Sequence, residues 1–471
     1  MIKFGTGGWR AVIGEDFTKA NIQRLTAAMA QKLRDEGAAD SGFVIGYDRR
    51  FLSEVAARWA SEVMAGAGIR CRIIDRESPT PLIMFTVAYY SLPYGMAVTA
   101  SHNPAVYNGI KVFTRGGRDA DEAVTGDIEA YIARTDPDSI PTVPYEEGLA
   151  SGIIELIDPM NPYIDSIIRA INVDAIRGRR LRVVLDPLYG VGKAALQTIL
   201  ITARCDVDVI HEQRDALFGG SLPAPNRQTL AGLQNYMEER RYDIGLATDG
   251  DADRLGVIDD QGQFLHPNKI LVLLYYYLVA YKGWRGAAVR SIATTHLLDR
   301  IAADFGEECF EVPVGFKFVS AKMTETNAVI GGESSGGLTV RGHIQGKDGI
   351  YAAALMVEML AVTGKKLSDL WREIAQTYGS CEMEERDYAF SEKKKASLTK
   401  TLLEDRLLPA FPWEVDHVSY QDGCKVYFQN GGWIIMRFSG TEPLLRIFCE
   451  METLREAQRG SDLMEDFLEL R

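Results

Sequence analysis

The chain has 471 residues, 46% of them hydrophobic, enough to bury several cores and, at about 150 residues per domain, to form about three or four units. Its 65 acidic and 52 basic side chains leave a formal net charge of -13, which opposes general binding to nucleic acid or an anionic membrane but leaves room for local basic spots that hold a small anion. No long apolar leader opens the sequence, and no apolar run reaches the roughly 18 residues of a membrane span. Six scattered cysteines without a CxxC pair indicate neither a disulfide framework nor a zinc site, so a cytoplasmic protein is expected.

In chain order, FGTGGWR sets Arg10 behind a glycine-rich turn. A pattern of strand, amphipathic helix ending at glycine, and second strand then occurs three times. The first copy reads FVIGYDRR, SEVAARWASEVMAGAG and IRCRIID; the second reads LRVVLDPLYG, VGKAALQTILITA and CDVDVIH; the third reads GAAVRSIATT, HLLDRIAADFG and ECFEVPVG. Such alternation predicts repeated α/β units around parallel or mixed sheets. ILVLLYYYLVAY, from Ile270 to Tyr281, reads as a buried helix. The proline-rich and acidic stretch 134–152 marks one boundary, and a second falls near Asp260. From about Cys381 the pattern changes: KVYFQNGGWIIMRFSGTEPLLRIFCEM alternates like strands around a glycine turn, and EAQRGSDLMEDFLEL follows as a helix. The expected fold class is therefore α/β, with three similar α/β domains at 1–140, 150–260 and 261–375, mixed sheets flanked by helices, and a smaller α+β domain at 380–471.

Several loops carry chemistry. TDGDADR follows a strand pattern and spaces Asp249, Asp251 and Asp253 two residues apart, so a curling loop points three carboxylates to one side. Three like charges so close must be offset, which a hard divalent cation does best, and magnesium, which keeps a few carboxylates and a phosphate oxygen, suits them; a solvated acidic turn is the alternative. An EF-hand is disfavoured, because Arg254 stands where its loop needs glycine. MRFSGTEPLLR offers Arg437, Ser439, Gly440, Thr441 and Arg446 as an anion cradle, or simply a hairpin turn with exposed arginines. GGESSGG brackets Glu333 and Ser335 with flexible glycine, suited either to sugar hydroxyls or to a mobile connection. Lys317, in VPVGFKFV, reads by itself as a solvated charge. In VTASHNPAVYNGIKVF no GxSxG elbow surrounds Ser101, and His102 is expected on the opposite side of an extended chain, which disfavours a Ser–His hydrolase pair. A phosphoryl group on Ser101 facing the aspartates would instead complete a metal shell.

TASHNP, DGDADR, GGESSGG and RFSGTEP, in that order and spacing, resemble the α-D-phosphohexomutases over essentially the whole chain. The resemblance implies three similar domains and a distinct fourth around a central cleft. It implies that Ser101 is the phosphoserine, that Ser101, Asp249, Asp251 and Asp253 hold Mg2+, and that Lys111 is a general acid/base with Arg10, His102 and Arg254 lining the reaction centre. Glu333 and Ser335 would read sugar hydroxyls, Lys317 would lie beside the sugar, and Arg437, Ser439, Gly440, Thr441 and Arg446 would grip the non-reacting phosphate. Two departures bear on the substrate. Gly337 replaces the histidine of the Met-Ser-Gly-His and Gln-Ser-Gly-His loops of mannose-type and glucosamine-type members, which points to glucose phosphate. Phe438 replaces a frequent proline in the phosphate loop.

The implied reaction interconverts hexose 1-phosphate and hexose 6-phosphate through a phosphoserine and a hexose 1,6-bisphosphate. Positioning and charge neutralisation would supply most of the catalysis. Lys111 would have to lose its proton readily to act as base, a shift that Arg10 or the metal could favour. The expected partner is a small phosphosugar, with no nucleic acid or membrane, on a monomer or homodimer. Phosphomannomutase or dual-specificity activity, an aspartate-nucleophile phosphatase and a non-catalytic phosphosugar sensor are the alternatives.

Overall fold

The computed structural model describes residues 2–5, 7–439 and 444–470. β1 (Trp9–Val12), β2 (Phe43–Tyr47), β3 (Cys71–Ile74), β4 (Tyr94–Val98), β5 (Tyr107–Thr114), β6 (Arg118–Asp119) and β7 (Ile154–Ile157) form the first sheet, ordered β1-β5-β4-β2-β3-β7 with β6 beside β5. β8 (Arg182–Asp186), β9 (Asp206–Val209), β10 (Ile244–Thr248), β11 (Leu255–Ile258) and β12 (Phe264–Leu265) form the second, ordered β12-β11-β10-β8-β9. The third, β14-β13-β15-β16, uses β13 (Ala288–Ser291), β14 (Cys309–Val312), β15 (Ile330–Gly332) and β16 (Leu338–Val340). β17 (Glu382–Ala389), β18 (Val415–Ser419), β19 (Cys424–Phe428), β20 (Trp433–Phe438) and β21 (Leu444–Met451) make a fourth, wholly antiparallel sheet.

The three sequence repeats become three copies of one arrangement. In each, two strands lie parallel with the amphipathic helix crossing between them, at Ser53–Gly66, Lys193–Thr202 and Leu297–Asp304. A further strand joins in parallel on the other side of the first: β4 beside β2, β10 beside β8, β15 beside β13. It then turns back into an antiparallel neighbour, β5, β11 or β16. The turns after β4, β10 and β15 carry Ser101, the three aspartates and Glu333–Gly337 respectively. All three chemical loops thus leave the carboxyl ends of strands that are buried along their length, where α/β sheets place their ligands.

One boundary differs from the sequence reading. The prolines near 141 do not end the first unit, because β7 adds in parallel to β3 at the edge of the first sheet, with Ile154 and Ile157 buried. The intervening chain is pinned where the Val143 amide donates to Glu62 O. The apolar segment at Ile270 is helical as read, Pro267–Tyr276 continuing into a π turn over Tyr277–Tyr281.

The helix Gly349–Thr363 is buried without a break from Gly349 to Ala361, as expected of a helix that is apolar on every face. Its first residue must be glycine, since a Cβ there would stand 2.5 Å from Arg254 O, and its amide donates to Ala252 O of the aspartate loop at 3.2 Å. The fourth domain is fastened to the third by Lys425, fully buried between the rings of Tyr427 and Trp433, which donates to Ile292 O and to Glu311. Asp348 caps the central helix through the amides of Ile350 and Tyr351 and also accepts from Tyr163 Oη at 2.8 Å. Asp348→Ala removes a cap and strands a buried hydroxyl, and should cost about 2–4 kcal/mol, read as a lowered urea midpoint at unchanged m value.

Candidate active site

The aspartate loop runs from the end of β10 to the start of β11, turned by Ala252 at φ 61°. Asp249, Asp251 and Asp253 are fully buried, and one oxygen from each lies within 4.8 Å of the others. Ser101 Oγ donates to Asp249 Oδ2 at 2.8 Å across the interface between the first two domains. The arrangement fits a divalent cation: Asp251 Oδ1 and Asp253 Oδ1 are buried without a hydrogen-bond partner, and all donors are hard oxygens. Burial, with Asp251 and Asp253 adding repulsion, raises the Asp249 carboxyl well above its ordinary range.

Positive charge surrounds the triad. Lys111, on β5, reaches Asp251 Oδ2 at 2.6 Å and Asp253 Oδ2 at 2.7 Å. Burial alone would lower its pKa, but Asp251 and Asp253 outweigh burial and raise it. In this arrangement the ammonium compensates the two carboxylates. Arg254 Nε stands 3.9 Å from both Asp249 and Asp253, and Arg10 approaches on β1. The Nε atoms of both arginines are buried with no hydrogen-bond partner, a pair of donors suited to an anion.

His102 Nδ1 lies 3.4 Å from Ser101 Oγ, not across the chain from it. The expected alternation fails because Ser101 is left-handed, φ 51°, and so is not part of an extended strand. Burial, then Arg254 and Arg10, lowers the His102 pKa well below its ordinary value, leaving the ring neutral. A hydrolase pair remains disfavoured on other grounds, since the Ser101 hydroxyl donates to a carboxylate and not to the imidazole.

Two residues absent from the sequence reading join the centre. Thr80 donates its hydroxyl to Asp251 Oδ2 at 2.6 Å and its amide to Asp251 O. Lys347 places Nζ 3.0 Å from Asp253 Oδ2. Its stem explains Gly337, because a Cβ built on Gly337 would overlap Lys347 Cδ. Burial would raise the Asp253 pKa, but Lys111, Lys347 and Arg254 together hold it well below the usual carboxylate range. No local pattern marks a lysine ten residues downstream as the tenant of an absent side chain.

The loop after β15 is tied to the aspartate loop by the Leu255 amide donating to Gly336 O at 3.1 Å and by a bridge between Arg254 and Gly337. Glu333 Oε1 accepts from the Gly315 amide at 2.9 Å, whereas Ser335 is exposed. Lys317 is not a solvated charge: it pairs with Glu122 of the first domain at 2.8 Å. In the fourth domain Arg437 Nε donates to Asp422 Oδ1, while Asp422 Oδ2 accepts from the Val314 amide, linking β20 to the Lys317 segment. Ser439 donates its amide to Leu444 O, and Arg446 faces Asp387 across β21 and β17 at 3.6 Å. Gly440 and Thr441 lie outside the described residues.

A serine loop, an aspartate loop and a glycine-flanked glutamate loop at matching positions of three repeated domains, with a fourth antiparallel domain fastened alongside, define the phosphohexomutase architecture. Residues 1–139, 161–262 and 266–378 match the phosphoglucomutase/phosphomannomutase alpha/beta/alpha domains I, II and III, and residues 383–466 match its C-terminal domain. The chain belongs to the phosphoglucomutase/phosphomannomutase family, whose members are isomerases that act as intramolecular phosphotransferases. It is 30% identical to a phosphoglucomutase/phosphomannomutase of Thermococcus kodakarensis, over 99% of both chains. It is also 30% identical to a protein of Pyrococcus furiosus described as a probable phosphoglucosamine mutase, covering 97% of this chain and 95% of that one. Among solved structures, a provisionally assigned phosphomannomutase of Thermus thermophilus superposes with a TM-score of 0.86 at 28% identity, over 99% of each chain. The open form of the Paramecium phosphoglucomutase parafusin gives 0.83 at 22%, over 99% of this chain and 95% of that one. No helix among the described residues is long and apolar enough to cross a membrane.

Because the raised Asp249 must give up a proton before all three carboxylates can bind a cation, magnesium affinity should tighten as pH rises above the ordinary carboxylate range, with proton release. The sign for the metal-free protein is opposite. A carboxyl whose folded pKa lies above its unfolded value makes stability fall as pH rises above the unfolded value, so chelator-treated protein should lose Tm over the same window and recover it with magnesium. Calorimetric titration in two buffers and thermal melts check both.

Proposed function

We propose that this protein interconverts the 1- and 6-phosphates of a hexose, with glucose the preferred sugar, through a phosphorylated Ser101 and a hexose 1,6-bisphosphate intermediate. The observation that carries the reading is the 2.8 Å contact of Ser101 Oγ with Asp249 inside the buried triad. That contact sets the hydroxyl beside one member of a buried cluster of three carboxylates. A magnesium ion held by Asp249, Asp251, Asp253 and the Ser101 phosphoryl oxygen would supply charge neutralisation between acid and phosphate.

The chain's own residues then divide the work. Arg10 and Arg254 bind the equatorial phosphoryl oxygens through Nε atoms that have no hydrogen-bond partner within the protein. Lys111 keeps its proton on Nζ and can donate it to a departing oxygen, while neutral His102 can accept one at Nδ1. Lys347 brings a second ammonium to Asp253 from the third domain. Glu333, already holding Gly315 with one oxygen, and Ser335 on the exposed side of the loop read sugar hydroxyls. Lys317 lies beside the sugar, and Arg437, Ser439, Gly440, Thr441 and Arg446 hold the remote phosphate. The enzyme works in the cytoplasm as a monomer or homodimer.

Glucose is favoured over mannose and glucosamine because Gly337 stands where the mannose-type and glucosamine-type loops carry histidine, and the Lys347 stem occupies the space beside it. The name of the Pyrococcus relative supports glucosamine as the second reading. An assay of glucose, mannose, glucosamine and pentose 1-phosphates with catalytic bisphosphate should rank glucose first by kcat/KM; a tenfold advantage for another sugar reverses the assignment. Ser101→Ala should abolish turnover and the phosphate adduct seen by intact mass, whereas persisting phosphate release would support a phosphatase. A protein that binds hexose phosphates but turns none over would be a sensor. Lys347→Met should lower kcat by roughly tenfold or more with the fold retained, because Asp253 loses one of the ammonium groups that compensate it.

A further inference from the structure

Ser101, left-handed at φ 51°, sits within a buried hydrogen-bond network that the reaction chemistry leaves unexplained. Arg50, 1% exposed, points its guanidinium into the turn that leads from β4 into the start of β5 and donates to four main-chain carbonyls. Nη2 reaches Ser101 O at 2.7 Å and Asn103 O at 2.6 Å; Nη1 reaches Pro104 O at 2.9 Å and Tyr107 O at 3.0 Å. The other main-chain group of Ser101, its amide, donates to Thr99 Oγ1 at 2.8 Å. Asp48 links the two sides: its Oδ2 accepts from Thr99 Oγ1 at 2.6 Å and lies 3.4 Å from Arg50 Nε, while its Oδ1 accepts from the Arg50 amide and from Ser53 Oγ. Phe218 of the second domain covers the guanidinium, 4.9 Å from ring centre to Cζ.

We propose that Arg50, Asp48 and Thr99 form a positioning clamp for the phosphoryl-carrying serine, holding Ser101 at φ 51° so that its Oγ faces Asp249. The proposal rests on Ser101 being the phosphoryl acceptor. A non-glycine residue in the left-handed region costs about 1–3 kcal/mol and persists only where its surroundings over-determine it. Here both main-chain hydrogen-bonding groups of the residue are held, one on each side, by groups that share a single carboxylate. Burial of a lone guanidinium is also costly, and Asp48 with four carbonyls offsets it. A serine free to return to negative φ would swing its hydroxyl off the line to Asp249, and a misplacement of about 1 Å can cost about 10²-fold in rate. Lysine cannot substitute, because a compact ammonium has three donors and lacks the planar fork that spans four acceptors.

The test compares Arg50→Lys, Thr99→Val and Thr99→Ser with Ser101→Ala in the full chain. Steady-state kinetics are measured with glucose 1-phosphate, and the rate of Ser101 phosphorylation by glucose 1,6-bisphosphate is followed by intact mass. The expected result is a fall of about 10²-fold in kcat and a matching fall in phosphorylation rate for Arg50→Lys and Thr99→Val, with KM within about threefold of wild type. Thr99→Ser, which keeps the hydroxyl, should recover most of both. A general loss of folding would lower Tm and active fraction without this split, and if Arg50→Lys does not fold, the two Thr99 variants decide. Wild-type kcat and phosphorylation in Thr99→Val, with Ser101→Ala inactive, overturn the clamp but leave the phosphoserine reading intact. Turnover in Ser101→Ala overturns both.

Discussion

Three carboxylates buried within one small volume are the constraint from which the rest of the centre follows. Two unit charges about 4 Å apart interact by about 4 kcal/mol at an effective dielectric near 20, so three uncompensated aspartates would threaten a domain of ordinary stability. The protein answers with Lys111 from the first domain, Lys347 from the third and Arg254 from the aspartate loop itself. Asp249, remote from both lysines' direct contacts, remains the carboxyl that burial raises, and it is the one that accepts the serine hydroxyl. Charge compensation therefore also brings domains together, because no single domain carries both the acids and enough of the bases.

The repeated architecture explains how these parts arrive at one place. Each of the first three sheets ends its third parallel strand in a loop that turns back on itself, and the loops from sheets one, two and three hold the serine, the acids and the glutamate. Main-chain hydrogen bonds then stitch loop to loop: Thr80 to Asp251, Leu255 to Gly336, Gly349 to Ala252. The fourth sheet, fastened by Lys425 and by Asp422 with Val314, sets β20 and its Arg437 beside the segment that carries Lys317. Movement of one domain would thus be felt at the triad through short, named contacts.

Glycine and left-handed residues mark where backbone must yield to this packing. Gly349 lets a wholly buried helix touch the aspartate loop, and Gly337 leaves space that a lysine stem from ten residues away fills. Ser101 is the opposite case, a residue with a side chain kept in a conformation that glycine normally adopts, where both of its main-chain polar groups are held.

Much of this was legible in the residues alone. Hydrophobic period, glycine stops and their threefold recurrence determined the three α/β units and the different fourth, because periodicity is local and survives in one dimension. The spacing of Asp249, Asp251 and Asp253 likewise determined a cluster of carboxylates before any fold was known. What the sequence could not carry was anything set by contact between distant segments. β7 joins the first sheet because its isoleucines find an open edge there, which a proline-rich approach concealed. His102 turns toward Ser101 because a clamp built from residues near 50 reverses the local backbone, and Lys111 is held charged because two acids 140 and 142 residues away close on it. Burial and long-range electrostatics are properties of the assembled volume, so only the tertiary structure decided which way those groups point and which of them keep their protons.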